Sequence, residues 1–289
     1  MEHLVTIEDD GRFLRDVLRQ TMGVSSSAIK SAKWDNRILV DGTPQTVRYR
    51  VRAGQTVSIL WAENQPVYQI KPCELALSIP YEDEHMLIID KPAPLASQSS
   101  AGHPDDSLEN ALYFREGCPE NFLYRPVNRL DKGTSGLMIV ARTAHAQHRL
   151  QQMLHTPEFR RTYLAVVEGT PQPLSGTVCA PIGKEKTASI RRIVCEDGKP
   201  SVTHYETLQC SGNRALVRLV LETGRTHQIR VHMNHLGCPV CGDFLYGTEL
   251  PELPLRFALH SAEIDLLHPI TGEMLHIESP LPPSLKALL

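Results

Sequence analysis

The chain has 289 residues, of which 41% are hydrophobic and 22% charged, and this composition supports a folded core and excludes an intrinsically disordered chain. A formal net charge of −3 excludes a uniformly basic nucleic-acid binder, and the sequence lacks the run of about eighteen apolar residues that a membrane span needs. Seven scattered cysteines and an acidic N-terminus without a signal-peptide pattern predict a cytoplasmic protein without a disulfide framework.

The first 62 residues form a predicted αβ unit of their own. Apolar residues at helical spacing over 11–20 predict one helix, and a second helix is predicted after the serines at 25–27. Asp41-Gly42, between apolar residues, is typical of a two-residue hairpin turn. Cations are concentrated after Val24, and such a cluster indicates either a surface that binds a polyanion or an ordinary solvated face.

This order of two helices and a hairpin resembles the αL-type RNA-binding module found in a small-subunit ribosomal protein and in many RNA-modifying enzymes. Asp41 stands where that module usually has Asn, and a generic small αβ domain is the alternative. The resemblance implies that Lys30, Lys33 and Arg37 meet RNA phosphates, which would supply affinity that depends on salt and little on sequence.

A linker is predicted over 63–78, where the chain becomes polar and contains two prolines. A second domain is predicted over 79–289. Its first buried-strand candidate is the apolar run at 86–89, which the pair Lys91-Pro92 ends.

Asp131 lies in a polar loop directly before Gly136–Ala141, a short apolar run that predicts a buried strand. A carboxylate in a loop joined to a core strand is well placed for chemistry, although most loop aspartates only shape turns. The longer string Asn128-Arg-Leu-Asp-Lys-Gly-Thr-Ser-Gly-Leu137 resembles the signature of the RluA-type RNA pseudouridine synthases, in which this Asp is the nucleophile.

Later segments follow in the order that this family shows. Tyr163 lies in a predicted strand over 160–169, in the setting where the family has a tyrosine. The string Glu222-Thr-Gly-Arg-Thr-His-Gln-Ile-Arg-Val-His232 resembles the family's third motif and leads into a predicted helix, with Thr226 near its cap and Gly237 past its end.

The resemblance implies an α+β pseudouridine synthase fold, in which a mixed, mainly antiparallel central sheet is divided by a cleft, beside the small N-terminal αL-type RNA-binding domain. It also implies a reaction in which the bond from ribose C1′ to uracil N1 breaks, the base turns, and C5 rejoins the sugar. This chemistry needs no redox cofactor, nucleotide or metal. We expect a monomer that acts on structured RNA, either ribosomal or transfer RNA.

The resemblance also assigns the site residues. Asp131 would act at the ribose of a flipped-out uridine, and Arg225 would keep this carboxylate ionised. Tyr163 would stack on the uracil and serve proton transfer at C5, while Arg129 would enter the RNA stack where the target nucleotide leaves. The other substrate-binding residues implied are Asn128, Thr134, Lys91 and Ile229.

Two other functions remain open at this point. The string His232-x-x-His235-x-x-Cys238-x-x-Cys241 offers zinc ligand types at even spacing, but a second Cys-x-x-Cys pair is absent and both histidines belong to the predicted helix. A non-catalytic RNA-binding or ribosome-assembly factor could keep the same fold, although the three residues assigned to catalysis are all present.

Overall fold

The chain divides into two compact units, Met1–Val67 and Tyr68–Leu289, and each has an apolar core of its own. The predicted linker over 63–78 falls partly on residues that lie outside the described part of the chain. Among the described residues, no helix combines the length and the apolarity needed to cross a bilayer. This computed structural model describes residues 2–24, 26–60, 70–185 and 190–289.

The first unit contains a small antiparallel sheet and short helical segments. The turn predicted at Asp41-Gly42 is confirmed, because both residues have positive φ angles, 49° and 75°, and connect two paired strands. The strands are β1 (Glu2–Leu4), β2 (Ile38–Val40), β3 (Thr43–Pro44) and β4 (Thr56–Ile59), in the order β1-β4-β2-β3, and the helical segments are Ile7–Asp9 (3₁₀), α1 (Leu14–Asp16), Val17–Thr21 (π) and α2 (Ser26–Trp34).

The three cations assigned to RNA differ in their surroundings. Lys30 and Lys33 are exposed on α2. Arg37 is held in place, because its Nη2 lies 2.6 Å from a carboxylate oxygen of Asp35 and its Nη1 donates to the carbonyl of Leu60 at 3.0 Å. The RNA-binding role of these residues, and the αL-type identity of the unit, stay predictions.

The second unit is built on one large sheet with helices packed against it. Its strands are β5 (Ser78–Glu82), β6 (Met86–Lys91), β7 (Ser135–Ala141), β8 (Phe159–Glu168), β9 (Ser175–Cys179), β10 (Ile182–Lys184), β11 (Arg192–Val194), β12 (Val202–Ser211), β13 (Arg214–Leu221), β14 (Leu259–Leu267) and β15 (Met274–Glu278). Its helices are α3 (Leu108–Arg115), α4 (Ala144–Met153), α5 (Gln228–His235) and α6 (Pro283–Lys286).

Within the described residues, nine strands join in the order β5-β6-β7-β14-β8-β13-β12-β9, with β15 paired to β14, while β10 and β11 form a separate hairpin. Every pairing in the large sheet is antiparallel except that of β7 with β14. The predicted α+β class, with a mixed and mainly antiparallel sheet, is therefore confirmed.

The strand β7 shows why the sheet has a core on each face. All seven of its residues are buried. Leu137 and Ile139 pack into one apolar cluster, and Met138 and Val140 pack into the other, as the alternation of side chains along a strand requires. After this strand, Thr143 is a typical N-cap residue followed by apolar residues at helical spacing, and it caps α4 as this pattern predicts. The loop before β7 is thus attached to a rigid central strand.

Candidate active site

A cleft of about 590 Å³ lies in the second unit beside the loop before β7. Its walls come from that loop, from the start of β8, and from the segment that leads into α5. These three stretches are distant in sequence and come together because β7, β14, β8 and β13 are consecutive neighbours in the sheet and α5 follows β13. Residues central to the site are Asn128, Arg129, Asp131, Thr134, Arg161, Tyr163, Arg225, His227, Ile229 and Arg230.

Asp131 is held by a tight connection between its loop and the sheet. Gly136 has a φ of 104°, and a Cβ atom at this position would collide with the backbone of Ser261. Only glycine permits β7 to approach β14 this closely. Within the loop, the N–H of Thr134 donates to the carbonyl of Asp131 at 3.0 Å. The carboxylate is therefore mounted on a short turn fixed at its C-terminal end.

The carboxylate of Asp131 forms an ion pair with Arg230. The Nη1 of Arg230 donates to Oδ2 of Asp131 at 2.9 Å. On its other side Arg230 makes two hydrogen bonds to Asp243, from Nε at 2.6 Å and from Nη2 at 2.8 Å. Such a bidentate arrangement fixes the plane of the guanidinium. Asp243 thus orients the arginine that holds Asp131.

The ion pairs of Arg230 are strengthened by burial, because little water screens them. The side chain of Asp243 is fully buried and that of Arg230 is 3% exposed, while that of Asp131 is 29% exposed toward the cleft. Burial alone lowers the pKa of Arg230, but the hydrogen bond and charge of Asp243, together with those of Asp131, outweigh it and raise the pKa above its ordinary value. Arg230 is therefore a permanent cation beside Asp131.

An aromatic ring also supports this cation. The guanidinium carbon of Arg230 lies 4.0 Å from the ring centroid of Phe257, which is close enough for a cation–π contact. The ring fits because residue 133 is glycine, where a Cβ atom would lie 2.6 Å from Cε1 of Phe257. Gly133 in the loop therefore makes room for the ring of Phe257, and Gly136 in β7 makes room for the backbone of Ser261.

The predicted pairing of Asp131 with Arg225 is wrong, because the structure gives this ion pair to Arg230. Arg225 lines the cleft, but its Nε donates to the carbonyl of Pro200 at 3.2 Å. The reason is the start of α5 at Gln228, which puts Arg230 in the first helical turn with its side chain buried, whereas Arg225 precedes the helix. Arg225 remains a cation of the cleft wall.

His227 is a second group close to the nucleophile candidate. It is the N-cap of α5 and has a left-handed backbone, φ 60°, so Thr226 lies next to the cap, as predicted. Its Nε2 lies 3.9 Å from Oδ2 of Asp131, and its Nδ1 is 2.9 Å from the hydroxyl of Tyr246. Burial lowers the pKa of His227, partly opposed by the charge of Asp131, and this shift favours the neutral imidazole.

The other residues assigned from the sequence are mostly placed around the cleft. Tyr163 is buried on β8 and lines the cleft, and Arg129 is exposed at its mouth. Thr134 and Ile229 are buried in its lining. Asn128 also lines it, but its Oδ1 accepts the N–H of a β7 residue at 2.8 Å, which ties the loop to the sheet.

Comparisons with known proteins identify the family. The model of the RNA pseudouridylate synthase family matches residues 85–235. Ribosomal large subunit pseudouridine synthase D of Xanthomonas campestris is 40% identical over 270 residues, which cover 87% of this chain and 80% of that protein. The chain belongs to the RNA pseudouridylate synthase family.

Two further proteins agree with this assignment. Ribosomal large subunit pseudouridine synthase D of Escherichia coli is 38% identical over 281 residues, which cover 92% of this chain and 85% of that protein. The solved structure of human RNA pseudouridylate synthase domain containing 1 aligns with a TM-score of 0.61 at 29% identity, over 73% of this chain and 87% of that chain. The RluA-type resemblance is confirmed, and the protein is an isomerase that acts on RNA.

In this pseudouridine synthase, Lys91 lies inside the protein and not on the cleft wall. Its side chain is fully buried, and its Nζ donates to the carbonyls of Leu95 at 2.8 Å and of Pro92 at 3.0 Å. Burial lowers the pKa of Lys91 to about 7, although the charge of Asp131 opposes this shift. The assignment of Lys91 as a direct substrate contact is therefore corrected to a supporting position beneath the Asp131 loop.

The four residues of the zinc alternative do not converge on one point. Both ring nitrogens of His232 are engaged, Nδ1 with the hydroxyl of Thr203 at 2.8 Å and Nε2 with the carbonyl of Ala180 at 2.9 Å. Burial raises the pKa of the Cys238 and Cys241 thiols, which opposes the thiolate form that zinc requires. In the described part of the chain, no three His, Cys, Asp or Glu side chains are grouped to hold a metal.

Sequence reasoning missed four groups of this site: Arg230, Asp243, Arg161 and His227. A signal for the first two was present. Arg230 lies among apolar residues of the helix predicted from the third motif, and this pattern indicates that its side chain is buried. A buried cation needs a carboxylate partner. Asp243 lies shortly after that helix and is the carboxylate partner of Arg230. The burial of Arg161 has no comparable signal, since the neighbouring Arg160 on the same strand is exposed.

Proposed function

We propose that the carboxylate of Asp131 is the nucleophile of this pseudouridine synthase and acts at the ribose of a uridine flipped into the cleft. The observation that supports this is the ion pair of Asp131 with the buried Arg230, at 2.9 Å, inside a cleft that Tyr163 also lines. Among the described residues, Oδ1 of Asp131 has no hydrogen-bond partner. The pair orients the carboxylate and leaves one oxygen available to the substrate.

The reaction is an isomerisation in which all atoms are conserved. A carboxylate oxygen of Asp131 bonds to C1′ as the C1′–N1 bond breaks, and the electron pair of that bond goes to the uracil. The base turns, and C5 then displaces the carboxylate as the C5–C1′ bond forms. The C5 proton is then lost while N1 gains one. In this proposal Tyr163 stacks on the detached uracil and serves the proton transfer at C5, and Arg129 takes the place of the flipped nucleotide in the RNA stack.

We further propose that the substrate is ribosomal RNA of the large subunit. The names of the Xanthomonas and Escherichia relatives support this choice, since both are ribosomal large subunit pseudouridine synthases. The non-catalytic alternative loses its support, because the chain keeps the family motif together with a formed cleft.

The central experiment is the substitution Asp131→Asn. It should abolish tritium release from RNA that contains [5-³H]uridine. RNA affinity should stay within a factor of about three of the wild type, because asparagine has nearly the same size and shape as aspartate. The matched control is Asp105→Asn, which changes an exposed carboxylate of the second unit and should leave turnover unchanged. An Asp131→Asn enzyme that works near the wild-type rate would remove the nucleophile assignment.

The substrate assignment has a separate test. Pseudouridines are mapped by primer extension in large-subunit rRNA, small-subunit rRNA and tRNA transcripts after treatment with the wild-type enzyme. Modification of a large-subunit uridine is the expected result. Modification confined to tRNA would contradict the rRNA proposal without touching the role of Asp131.

A further inference from the structure

Arg161 is a buried cation whose guanidinium is incompletely satisfied. The residue is 6% exposed, and within the described residues its Nε and Nη2 are buried without a hydrogen-bond partner. The contact recorded for its guanidinium carbon is the ring of Phe159, at 5.6 Å from the centroid. Leaving buried charged donors unpaired is costly, and such groups in native proteins commonly belong to a binding site.

The position of Arg161 places it in the catalytic cleft. It is two residues before Tyr163 on β8, so both side chains lie on the same face of the strand, and both line the cleft. The neighbouring loop leaves it room, because residue 224 is glycine and a Cβ atom there would lie 3.5 Å from Nη1 of Arg161.

The charges around the cleft offer Arg161 no anionic partner from the protein. Among the described residues that line the cleft, Asp131 is the one acid, and Arg230 already holds it. The other charged lining residues are cations, which adds to the positive potential of this wall. These cations are Arg129, Lys132, Arg161, Arg225 and Arg230.

We propose that Arg161 binds a backbone phosphate of the RNA within one nucleotide of the flipped uridine. This inference rests on the proposed function, because Asp131 can reach a ribose only if the phosphates attached to that sugar enter the same cleft. The guanidinium fork presents parallel donors that match two phosphate oxygens, and a full negative charge neutralises the buried cation. A neutral uracil carbonyl would leave the charge uncompensated.

The test uses an RNA stem-loop that the wild-type enzyme modifies, with single phosphates next to the target uridine replaced one at a time by methylphosphonate. Dissociation constants are measured by fluorescence anisotropy on the full chain. For the wild type, one replacement should weaken binding by about tenfold to a hundredfold, the range of one charge-assisted contact. Arg161→Met should weaken binding of the unmodified RNA by a similar factor and show no further loss at that same phosphate.

Two matched variants separate this role from a general charge effect. Arg160→Met removes the same charge from the adjacent, exposed position of β8 and should retain the wild-type response to each methylphosphonate. Arg161→Lys keeps the charge but lacks the planar fork, so it should recover part of the affinity. Near-ultraviolet circular dichroism verifies that each variant is folded.

Two results would overturn the proposal. One is wild-type affinity of Arg161→Met for the unmodified RNA. The other is an unchanged methylphosphonate penalty in Arg161→Met at every flanking phosphate, which would mean that Arg161 contacts base or sugar. Since these are binding measurements, failure of Asp131 as the nucleophile would appear in the turnover of Asp131→Asn and leave them unaffected.

Discussion

The cleft contains two buried arginines in opposite electrostatic situations. Arg230 lies between two carboxylates, with one hydrogen bond to Asp131 and two to Asp243. Arg161 is nearly as buried, yet its Nε and Nη2 have no partner among the described residues. Both residues line the same cleft.

This difference separates two tasks of one site. Around Arg230 the protein itself supplies the partners, since each carboxylate accepts hydrogen bonds from the guanidinium. The reacting carboxylate is thus in position before RNA arrives, as preorganised catalysis requires. On the wall with Arg161 the compensation is missing, and in our proposal RNA supplies it. Substitutions at Arg230 should therefore lower both stability and turnover, whereas substitutions at Arg161 should lower RNA affinity without lowering stability.

The largest effect is expected for Arg230→Met. It leaves Asp243 buried without its cation, and removal of one partner from a buried pair costs about 3 to 5 kcal/mol of unfolding free energy. Turnover should fall about a hundredfold or more because Asp131 loses its ion pair. Urea denaturation and single-turnover kinetics measure the two effects.

Arg225→Met is the matched comparison for that variant. Arg225 is half-buried and its Nε bonds a backbone carbonyl, so the free energy of unfolding should change by less than about 0.5 kcal/mol. If Arg225→Met destabilised the protein as much as Arg230→Met, the assignment of the two arginines would have to be reversed.

Asp243→Asn should have the next largest effect. The amide cannot neutralise Arg230 and loses one of two acceptors in the bidentate contact, so we expect a destabilisation of about 2 kcal/mol. Because Asp243 only orients Arg230, kcat should fall by about tenfold while KM stays nearly constant. A rise in KM with unchanged kcat would instead indicate that Asp243 acts in substrate binding.

Lys91 provides an intermediate case, a buried cation with backbone carbonyls as hydrogen-bond acceptors. Its pKa is lowered to about 7 from an ordinary value of 10.5, so between these pH values the unfolded chain binds more protons than the folded protein. The free energy of unfolding should consequently rise with pH by up to about 1.4 kcal/mol per pH unit between pH 7 and pH 9.

Lys91→Met should lack this increase, whereas Lys286→Met, at an exposed lysine, should retain it. The measurement is urea denaturation of the three proteins over this pH range. Parallel pH profiles for wild type and Lys91→Met would show that Lys91 titrates normally in the folded protein.

The smallest effect on stability is expected for Arg161→Met. Replacing a buried, incompletely paired cation by an apolar side chain of similar length should leave the free energy of unfolding unchanged or raise it by about 1 kcal/mol. Urea denaturation checks this outcome. A loss of 3 kcal/mol or more would mean that Arg161 is a structural partner within the protein, and the comparison with Arg230 would fail.

The local pattern of the sequence was sufficient for much of the fold. Apolar run length predicts β7, and the helix after it follows from the cap at Thr143. The hairpin at Asp41-Gly42 was predicted from turn chemistry alone. These features depend on contacts between residues close in sequence, which is why they are visible without the tertiary structure.

The sequence by itself determined the family and the loop that presents Asp131, because both can be identified from short contiguous motifs. Only the tertiary structure decided which arginine meets that acid, since Arg230 and Asp131 are 99 residues apart and their contact depends on where α5 begins. It alone also shows that Lys91 is enclosed and that Arg161 is buried without full compensation. Burial and electrostatic pairing are properties of side chains brought together by folding, and no single stretch of sequence specifies them.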